Sequence, residues 1–388
     1  MPSWPMEEKP LLVFWETTRA CPLACIHCRA EAITKPLPGE LSHEEGVSLI
    51  NQVAEFGRPY PVLVLTGGDP LSRPDLWDLV AEARGLGVPV AMAPSPTPNL
   101  LDNVGRIARE GVSAVSISVD SPEPDVHDKV RRFKGSWNAA VAAIKGLQRL
   151  GVRVQVNTAV MRSTVRGLPG MVRLLRDLDV RTWEVFYLVP VGRATWDEDL
   201  TPQEWEDVSA FLYEASKYGI TVRTSEGPMF RRVSLVASYA ERNGLSIKGV
   251  LRLGPLYSEL VESLWSQLGR AEGPPGFETG GTRDGLGVIF VSHDGLVYPS
   301  GFLPITIGSV RKSRLVELYR RSELLNRIRR SELRGRCVAC EFRRVCGGSR
   351  ARAFARWGDP LMEDPACPYE PGSLSSVDLR EVLGPWHP

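Results

Sequence analysis

This chain of 388 residues lacks a long apolar run and a segment like a secretory signal sequence, and each absence excludes a class of protein. No apolar run approaches the ~18 residues that a membrane-spanning helix needs, so a membrane partner is not expected. The N-terminal segment carries Glu7 and Glu8 before its short apolar stretch, which is unlike a secretory signal peptide. We therefore expect a cytoplasmic protein with a large core, since 43% of its residues are hydrophobic.

Cysteine is also scarce, and the chain has seven. An odd number in a chain without an export signal argues against a disulfide framework. All seven fall into two groups, one near each end of the chain, which is typical of metal ligands. The first group is Cys21, Cys25 and Cys28, and the second is Cys337, Cys340, Cys346 and Cys367.

Net charge is close to zero, at +1, but it is unevenly distributed. Residues 311–356 contain fifteen Lys or Arg and four Glu, a local excess of +11. The simplest explanation is a solvated helical face paired with acidic groups elsewhere. The functional alternatives are that this segment offsets the charge of a metal cluster, binds an acidic electron donor, or faces an anionic substrate. Nucleic acid is not expected as a partner, because no aromatic-interleaved binding motif accompanies the charge.

The first cysteine group has the spacing CxxxCxxC and directly follows the apolar run at residues 11–15. Three thiolates can hold one iron–sulfur cluster by three of its four irons, which leaves the fourth iron open to a ligand that is not protein. The alternatives are a structural zinc site completed by His27 or His43, or buried thiols without a metal. Zinc sites normally use CxxC pairs, and this spacing differs from theirs.

Short β-rich runs alternate with amphipathic helical stretches from residue 11 to about residue 225, which predicts parallel strands joined by crossover helices. The predicted strands cover 11–16, 61–66, 88–93, 113–119, 152–160 and 182–189. The predicted helices cover 43–56, 74–86, 100–110, 136–149 and 165–178. Six such units match an open β/α barrel, in which the active site lies at the C-terminal ends of the strands.

The sequence predicts three regions: a core barrel over 1–225, a partly helical connector over 226–285, and a C-terminal domain over 286–388. Helical periodicity within the connector covers 230–242 and 255–269.

Two features of these last regions bear on function. Arg231 and Arg232 are either exposed charge or a clamp for an anion near the barrel mouth. The C-terminal domain opens with an alternating hairpin around Asp294-Gly295. Its four cysteines suit either zinc or a second iron–sulfur cluster, and their spacing does not choose between the two.

The loop at residues 21–28 resembles that of the radical S-adenosylmethionine (SAM) superfamily, and His27 stands at its usually aromatic position. The resemblance implies an α/β fold, a partial (β/α)6 TIM-like barrel, with a [4Fe–4S] cluster whose open iron is chelated by SAM. It implies an enzyme in which the reduced cluster passes an electron to SAM, and the 5′-deoxyadenosyl radical then abstracts hydrogen from the substrate. A reduced ferredoxin or flavodoxin is the expected electron donor.

Motifs at the ends of the predicted strands are similar to the SAM-binding motifs of this superfamily. The Gly-Gly-Asp at 67–69 is similar to the GGE motif that binds the SAM amino group, although taken alone it is a turn. The stretch 127–137 resembles HDxxRGxxGSF of the SPASM/Twitch branch, and 189–193 resembles VPxGR, which borders the adenine. Structural roles would account for the same residues without any binding function, namely a helix cap, a surface salt bridge and, around Ser95, a rigid proline loop. The residues assigned to SAM are Gly67, Gly68, Asp69, Ser95, Ser118, Asp120, Arg131, Asn157 and Val191.

The C-terminal cysteines resemble the auxiliary-cluster region of SPASM/Twitch enzymes, although Ser300 stands where a full SPASM domain has a cysteine. This departure implies a single auxiliary [4Fe–4S] cluster in a small Twitch/SPASM-like domain, and two clusters in all. The stretches 298–304 and 346–353 are similar to enzymes of the alternative haem and haem d1 pathways, which act on porphyrin side chains.

Three functions remain open on the sequence, and no catalytic residue is identified. The first is a radical SAM enzyme that alters a propionate or similar group of a tetrapyrrole, with Arg231 and Arg232 binding the carboxylates of the substrate. The second is a peptide-modifying radical SAM maturase. The third is a non-catalytic iron–sulfur electron-transfer protein, which the three-cysteine loop disfavours.

Overall fold

The computed structural model describes residues 4–278 and 280–384. In chain order the strands are β1 Leu12–Glu16, β2 Val62–Thr66, β3 Val90–Met92, β4 Ala114–Ser118, β5 Arg153–Val160, β6 Thr182–Tyr187, β7 Thr221–Ser225, β8 Val288–Val291, β9 Leu296–Tyr298 and β10 Gly308–Ser309. The helices are α1 His43–Ala54, α2 Leu76–Gly85, α3 Pro98–Arg109, α4 Pro124–Arg131, α5 Ser136–Arg149, α6 Leu168–Asp177, α7 Pro202–Ala215, α8 Met229–Arg242, α9 Ile247–Leu251, α10 Pro255–Leu268, α11 Leu315–Arg321, α12 Glu323–Arg329, α13 Arg336–Ala339, α14 Arg350–Trp357 and α15 Leu379–Leu383.

The chain forms two compact units whose boundaries differ from the three predicted regions. Unit 1 comprises the residues up to Asn157, then Val191–Ala194 and Thr282–Arg330. Unit 2 comprises Thr158–Pro190, Thr195–Gly281 and the residues from Ser331 onward.

Unit 1 contains a sheet in which the strand order is β10, β9, β8, β1, β2, β3, β4 and β5. Strands β1 to β5 pair in parallel, and the helices that follow them make the crossover connections. Strand β8 also pairs in parallel with β1, on the side opposite β2. The predicted hairpin is present as β8 and β9, but it extends this sheet, so its residues do not begin a separate unit.

The register of unit 1 brings the C-terminal ends of its strands to one edge. Glu16 at the end of β1 lies opposite Thr66 at the end of β2, and Ser118 at the end of β4 lies opposite Asn157 in β5. Apolar side chains anchor the sheet, and Trp15 in β1 is fully buried. The loops that leave this edge are where a ligand is expected in a parallel β/α architecture.

Unit 2 contains the parallel pair β6 and β7 and a group of packed helices that includes α7, α8 and α10. Helix α7 begins with a capping box between Thr201 and Glu204, which satisfies backbone N–H groups at its first turn. Its neighbour α8 places Arg231 and Arg232 among buried residues.

The predicted secondary structure is largely confirmed, since the six predicted strands agree with β1 to β6 within two residues at each end. The predicted helical stretches in the connector correspond to α8 and α10. Within residues 11–225 three elements were missed, namely α4, α7 and β7, and no ranges were predicted for α9, β10 or α11 to α15. Strand β7 has the sequence TVRTS and only one fully buried residue, so its apolar pattern was too weak to detect. Within the described residues, none of the helices has both the length and the apolar character needed to span a bilayer.

Candidate metal centres

The first three cysteines lie in the loop between β1 and α1, at the C-terminal edge of the sheet of unit 1. Cys21 and Cys25 are buried in one cluster with Leu23 and Ala32, and Cys28 packs against that cluster. The loop is tied to the rest of unit 1 by backbone bonds, such as the one from Ile26 N to Val130 O at 3.0 Å. The three thiols are therefore gathered in one sheltered place.

Polar donors reach two of these sulfur atoms. The backbone N–H of Leu23 donates to Cys21 Sγ at 3.4 Å, and the hydroxyl of Ser95 lies 3.2 Å from the same sulfur. The guanidinium of Arg131 donates from Nη1 to Cys25 Sγ at 3.8 Å. Burial raises the pKa of Cys21 to about 11 and also raises the pKa of Cys25. A buried thiolate needs a compensating positive charge, and a bound iron supplies it when the thiol loses its proton. The thiols of Cys21 and Cys25 therefore fit the role of iron ligands.

The Gly-Gly pair after β2 packs against the backbone of the cysteine loop. A Cβ atom on Gly67 would lie 2.4 Å from Thr18 O, and one on Gly68 would lie 2.4 Å from Ala20 O. The N–H groups of Gly68 and Asp69 donate to these two carbonyl oxygens at 2.7 Å. Glycine is therefore required at both positions because the backbone at 67–68 packs closely against the backbone of the cysteine loop. The sequence had suggested a different reason, namely close approach of the backbone to a ligand.

Asp69 is fully buried at the start of a short 3₁₀ turn. Its Oδ1 accepts from the backbone N–H of Leu71 at 3.2 Å and from that of Ser95 at 3.3 Å. Its Oδ2 is buried and has no hydrogen-bond partner among the described residues. Burial raises the pKa of this carboxyl group to about 6. An unpaired, buried carboxylate oxygen fits a positively charged ligand group, such as an ammonium.

Asp120, after β4, is part of a buried network that orients Arg131. Arg131 Nε donates to Asp120 Oδ2 at 2.7 Å. Burial opposes ionisation of Asp120, but the charge of Arg131 outweighs it, and the pKa of this carboxyl falls to about 2. The backbone N–H of Asp120 donates to His127 Nδ1 at 3.1 Å, so the proton of the neutral imidazole is on Nε2, beside the hydroxyl of Ser136 at 3.2 Å. His127 is thus a support for the loop that carries Asp120.

The other residues predicted to bind SAM lie at the same edge or beside the cysteine loop. Ser118 and Asn157 face each other across β4 and β5. Val191 precedes Gly192, where a Cβ would lie 2.5 Å from Cys28 O, and Gly192 has a φ of +61°. Arg193, which sequence reasoning did not assign, donates from Nε to Cys25 O at 2.9 Å and from Nη1 to Ala32 O at 3.0 Å. The segment around Val191 therefore clamps the cysteine loop, and the Gly-Arg pair in the VPxGR pattern was the available signal.

The four C-terminal cysteines lie in unit 2 and line a single small cavity. The lining is completed by Arg232, Met229 and the loop residues between the cysteines: Phe342, Arg343, Gly347, Gly348 and Asp364. Burial raises the pKa of all four thiols, that of Cys340 to about 11 and that of Cys367 to about 12. As in the first loop, positive charge from a metal would compensate the buried thiolates.

The spacing of the cysteines bears on the kind of metal. Within residues 4–278 and 280–384, no three His, Cys, Asp or Glu side chains converge closely enough to bind one ion. A four-iron cluster does not require such convergence, because each of its cysteines binds a different iron.

Arg231 and Arg232, predicted to bind the substrate, are both buried in α8. Arg231 Nη1 donates to the backbone oxygen of Val345 at 3.3 Å. Both terminal nitrogens of Arg232 bind Glu206, Nη1 to Oε1 at 2.8 Å and Nη2 to Oε2 in a shorter contact. Burial opposes the charge of Arg232, yet Glu206 and then Cys367 raise the pKa of the guanidinium. The fork of Arg232 is therefore occupied by Glu206, and Arg232 also lines the cavity of the four cysteines.

Much of the basic segment at 311–356 is paired with acidic side chains or backbone oxygens. Arg311 binds Glu45 and Arg334 binds Asp359, both at exposed positions. The buried Arg350 donates to the backbone oxygens of Gly348, Pro360 and Met362, which fixes the loops that carry the C-terminal cysteines. The charge excess thus serves largely structural contacts.

Comparison with known proteins agrees with this geometry. The family model described as the radical SAM superfamily matches residues 15–175. Proteins named AdoMet-dependent heme synthase, from Oleidesulfovibrio alaskensis and Methanosarcina barkeri, are 34% and 31% identical. Each match covers 95% of this chain, and 90% and 99% of the respective relative. A mycofactocin maturase from Mycobacterium tuberculosis is 30% identical over 63% of this chain and 61% of its own length.

A solved structure shows the same fold. Native anSMEcpe with bound AdoMet aligns with a TM-score of 0.64 at 15% identity, over 96% of each chain. The predicted α/β fold, a partial barrel of parallel β/α units, is thereby confirmed. Together with the matches in sequence, it follows that the chain is an enzyme that belongs to the radical SAM superfamily.

Proposed function

We propose that this radical SAM enzyme acts on a haem-type tetrapyrrole and alters one of its carboxylate-bearing side chains. The observation that carries the proposal is the extent of the similarity. Relatives named heme synthase match 95% of the chain, whereas the peptide-modifying relative matches 63%. A similarity that extends over both cysteine groups favours a shared substrate class over a shared barrel alone.

Membership of the superfamily brings one [4Fe–4S] cluster and SAM. We assign Cys21, Cys25 and Cys28 as the ligands of this cluster, since their thiols are gathered in one buried loop. When bound, the cluster and SAM together supply a carbon-centred radical that removes hydrogen from the substrate. The chain itself supplies shelter from water and the N–H donors at Cys21 and Cys25.

The SAM contacts follow from the edge of the sheet in unit 1. The unpaired Oδ2 of Asp69 is suited to the amino group of SAM. Ser118 at the end of β4 and Asn157 opposite it within β5 are suited to its hydroxyl groups. Arg131, held by Asp120, is suited to the carboxylate of SAM or to the charge of the cluster.

We assign the four C-terminal cysteines to an auxiliary [4Fe–4S] cluster with no open iron. Four thiols line one cavity, so each iron of a cubane has a protein ligand. Such a cluster transfers electrons or stabilises unit 2, and it does not bind SAM. A low-potential one-electron donor, of the reduced ferredoxin or flavodoxin kind, supplies the reducing electron.

The substrate contacts that we propose differ in one residue from those expected from the sequence. We retain an anionic substrate, because a tetrapyrrole carries several carboxylates, but we do not assign Arg232 to it, since Glu206 occupies its guanidinium fork. Arg231 stays a candidate contact, with its Nη1 already bound to Val345 O.

The test is formation of 5′-deoxyadenosine by the reconstituted, anaerobic protein with SAM and a chemical reductant. We expect Fe-coproporphyrin to increase the yield over the substrate-free reaction and to change in mass, as read by liquid chromatography and mass spectrometry. The control is Cys28→Ala under identical conditions, which should give neither product. Equal yields with and without porphyrin, with stimulation by a peptide instead, would refute the tetrapyrrole assignment and favour a maturase.

A further inference from the structure

Arg232 lines the cavity of the four C-terminal cysteines, and it is the feature of that cavity that the proposed function leaves unexplained. The residue is 1% exposed, so its charge is not screened by solvent. Met229, one turn earlier on α8, lines the same cavity. A permanent positive charge at this depth requires a compensating partner.

Protein groups bind two of the three guanidinium nitrogens of Arg232. Glu206 on α7 accepts from both terminal nitrogens, and the ring of Tyr369 lies 4.7 Å from the guanidinium carbon. Tyr369 is itself fixed, since its ring packs edge-on against Phe342 at 5.6 Å and its hydroxyl donates to Glu341. These contacts hold the guanidinium in one orientation.

Among the described residues, Arg232 has one guanidinium nitrogen without a hydrogen-bond partner. Its Nε–H is buried and has no acceptor among the residues that the structure describes. An unsatisfied charged donor at such depth is costly, unless a ligand supplies the acceptor. The sulfur atoms of a cluster, both inorganic sulfide and cysteine thiolate, are acceptors of this kind.

We infer that Arg232, positioned by Glu206 and Tyr369, donates its free Nε–H to the cluster held by the four C-terminal cysteines and raises its reduction potential. The inference deepens the proposed function, because it rests on an auxiliary cluster at that site. Reduction by one electron from an external donor adds one negative charge to the cluster. A fixed positive charge and a hydrogen bond to sulfur stabilise that reduced form more than the oxidised form.

The pairing of Arg232 with Glu206 makes the inference testable, because variants of the two residues should shift the reduction potential of the cluster in opposite directions. Removing the charge of Arg232 leaves the negative charge of Glu206 near the cluster, which should lower the potential. Removing the charge of Glu206 leaves Arg232 uncompensated, which should raise it. A role limited to holding the fold together would not shift the potential in opposite directions in the two variants.

The experiment is a potentiometric titration of the full chain, with electron paramagnetic resonance as the readout. The protein carries Cys21→Ala, Cys25→Ala and Cys28→Ala, so that only the C-terminal cluster contributes to the signal. Dithionite serves as the reductant. We expect Arg232→Met to increase the ratio of oxidised to reduced cluster at least tenfold at a fixed potential, which is a fall of about 59 mV for one electron. Glu206→Gln should change the ratio in the opposite direction, and Arg232→Lys should return it part of the way. The matched control is Arg242→Met, an exposed arginine on the same helix, which should leave the potential unchanged.

The outcomes separate this inference from the function on which it rests. The role of Arg232 is overturned if Arg232→Met and the parent have equal potentials, or if the Arg232 and Glu206 variants shift the potential in the same direction. Neither result contradicts the assignment of the auxiliary cluster. If Arg232→Met fails to hold iron, Glu206→Gln decides alone, and an unchanged potential there overturns the inference. Zinc in place of iron, found by elemental analysis, overturns both the inference and the auxiliary cluster, while SAM cleavage by the wild type still tests the first centre.

Discussion

The two cysteine groups of this protein differ in number, and their surroundings differ in a matching way. Around the N-terminal three, the polar groups include the backbone N–H of Leu23, the hydroxyl of Ser95, the guanidinium of Arg131 and, on Asp69, a carboxylate oxygen with no hydrogen-bond partner among the described residues. The cavity of the C-terminal four is lined by the charged side chains of Arg232, Arg343 and Asp364, and the counter-ion of Arg232 is Glu206. The first surroundings thus include a buried acceptor without a partner among the described residues, whereas the buried arginine of the second already has a carboxylate partner.

This difference indicates separate roles for the two groups. A centre that binds SAM needs one open iron and acceptors for the amino group of SAM. A centre that only moves or stores electrons needs complete ligation and a controlled charge environment. We propose that the N-terminal three meet the first of these needs and that the C-terminal four meet the second.

The largest expected effect separates the two centres directly. Replacement of Cys28 with Ala should abolish formation of 5′-deoxyadenosine, because the first cluster loses one of its three protein ligands. Iron should fall from about eight to about four atoms per chain, since the C-terminal ligands lie in a different unit. Elemental analysis and chromatography of the reaction products measure both quantities.

The matched variant is Cys367→Ala, which removes a ligand from the second group. It should lose iron from the C-terminal site and still retain the first cluster. A Cys28→Ala protein that forms 5′-deoxyadenosine at the wild-type rate would contradict the assignment of the first centre.

The next effect concerns the backbone that shapes the first loop. Gly68→Ala places a Cβ 2.4 Å from Ala20 O, and a backbone atom of a packed loop cannot move aside as a side chain can. We expect a loss of about 3 kcal/mol in the free energy of unfolding of the apoprotein, together with poor iron loading. Urea unfolding and iron analysis provide the test.

Gly85→Ala in α2 is the control for that experiment. A Cβ at Gly85 would meet no heavy atom within 4 Å apart from its chain neighbours and the backbone of its own helix, so this change should be neutral or slightly stabilising. Similar stability losses in both variants would mean that close contact with the cysteine loop is not the reason for Gly68.

A smaller effect is expected from pH, and it acts on unit 1. Burial lowers the pKa of His127 from 6.5 to about 4, so His127 is neutral in the folded state at pH 5, while the unfolded chain binds the proton. Its contribution to stability is therefore complete above pH 6.5 and is lost as the pH falls towards 4. At pH 5 the loss is about 2 kcal/mol relative to pH 7.

His127→Asn keeps an acceptor for the N–H of Asp120 and cannot titrate. We expect urea unfolding of the apoprotein to show a difference between pH 7 and pH 5 that is about 2 kcal/mol smaller in this variant than in the wild type. Between pH 7 and pH 8 the two proteins should change in parallel. Identical pH dependence from 7 to 5 would show that His127 is not held neutral.

The smallest effect is expected in the basic segment. Arg334→Gln removes an exposed ion pair with Asp359, and such pairs contribute about 0–1 kcal/mol. We expect no measurable change in iron content or in porphyrin binding, followed by the Soret band. A tenfold loss of porphyrin affinity would instead restore the segment as a substrate-binding surface.

Features that depend on local periodicity and residue spacing could be predicted from the sequence. Strands β1 to β6 and the two cysteine groups follow from local patterns, because buried parallel strands read as apolar runs and cluster ligands recur at fixed intervals. The parallel pairing of β8 with β1 was not predictable in this way, since Val288–Val291 reads equally well as one arm of an isolated hairpin.

The sequence could not show what side chains do after the chain has folded. Gly67 and Gly68 were assigned to SAM from their motif, and their close packing against the backbone of Thr18 and Ala20 could not be predicted from it. Arg232 reads as exposed charge or as a clamp until Glu206, 26 positions earlier, is seen to occupy its fork. Pairings of this kind depend on which helices pack together, and a single sequence does not encode that in local form.

The most direct test of the central difference is the stoichiometry of SAM bound to the reconstituted protein, measured by equilibrium dialysis with radiolabelled SAM. We predict about one SAM per chain in the wild type and in Cys367→Ala, and none above background in Cys28→Ala, because only the three-cysteine cluster has an open iron. Retained binding in Cys28→Ala, together with lost binding in Cys367→Ala, would place SAM at the C-terminal centre and contradict the assignment of both sites.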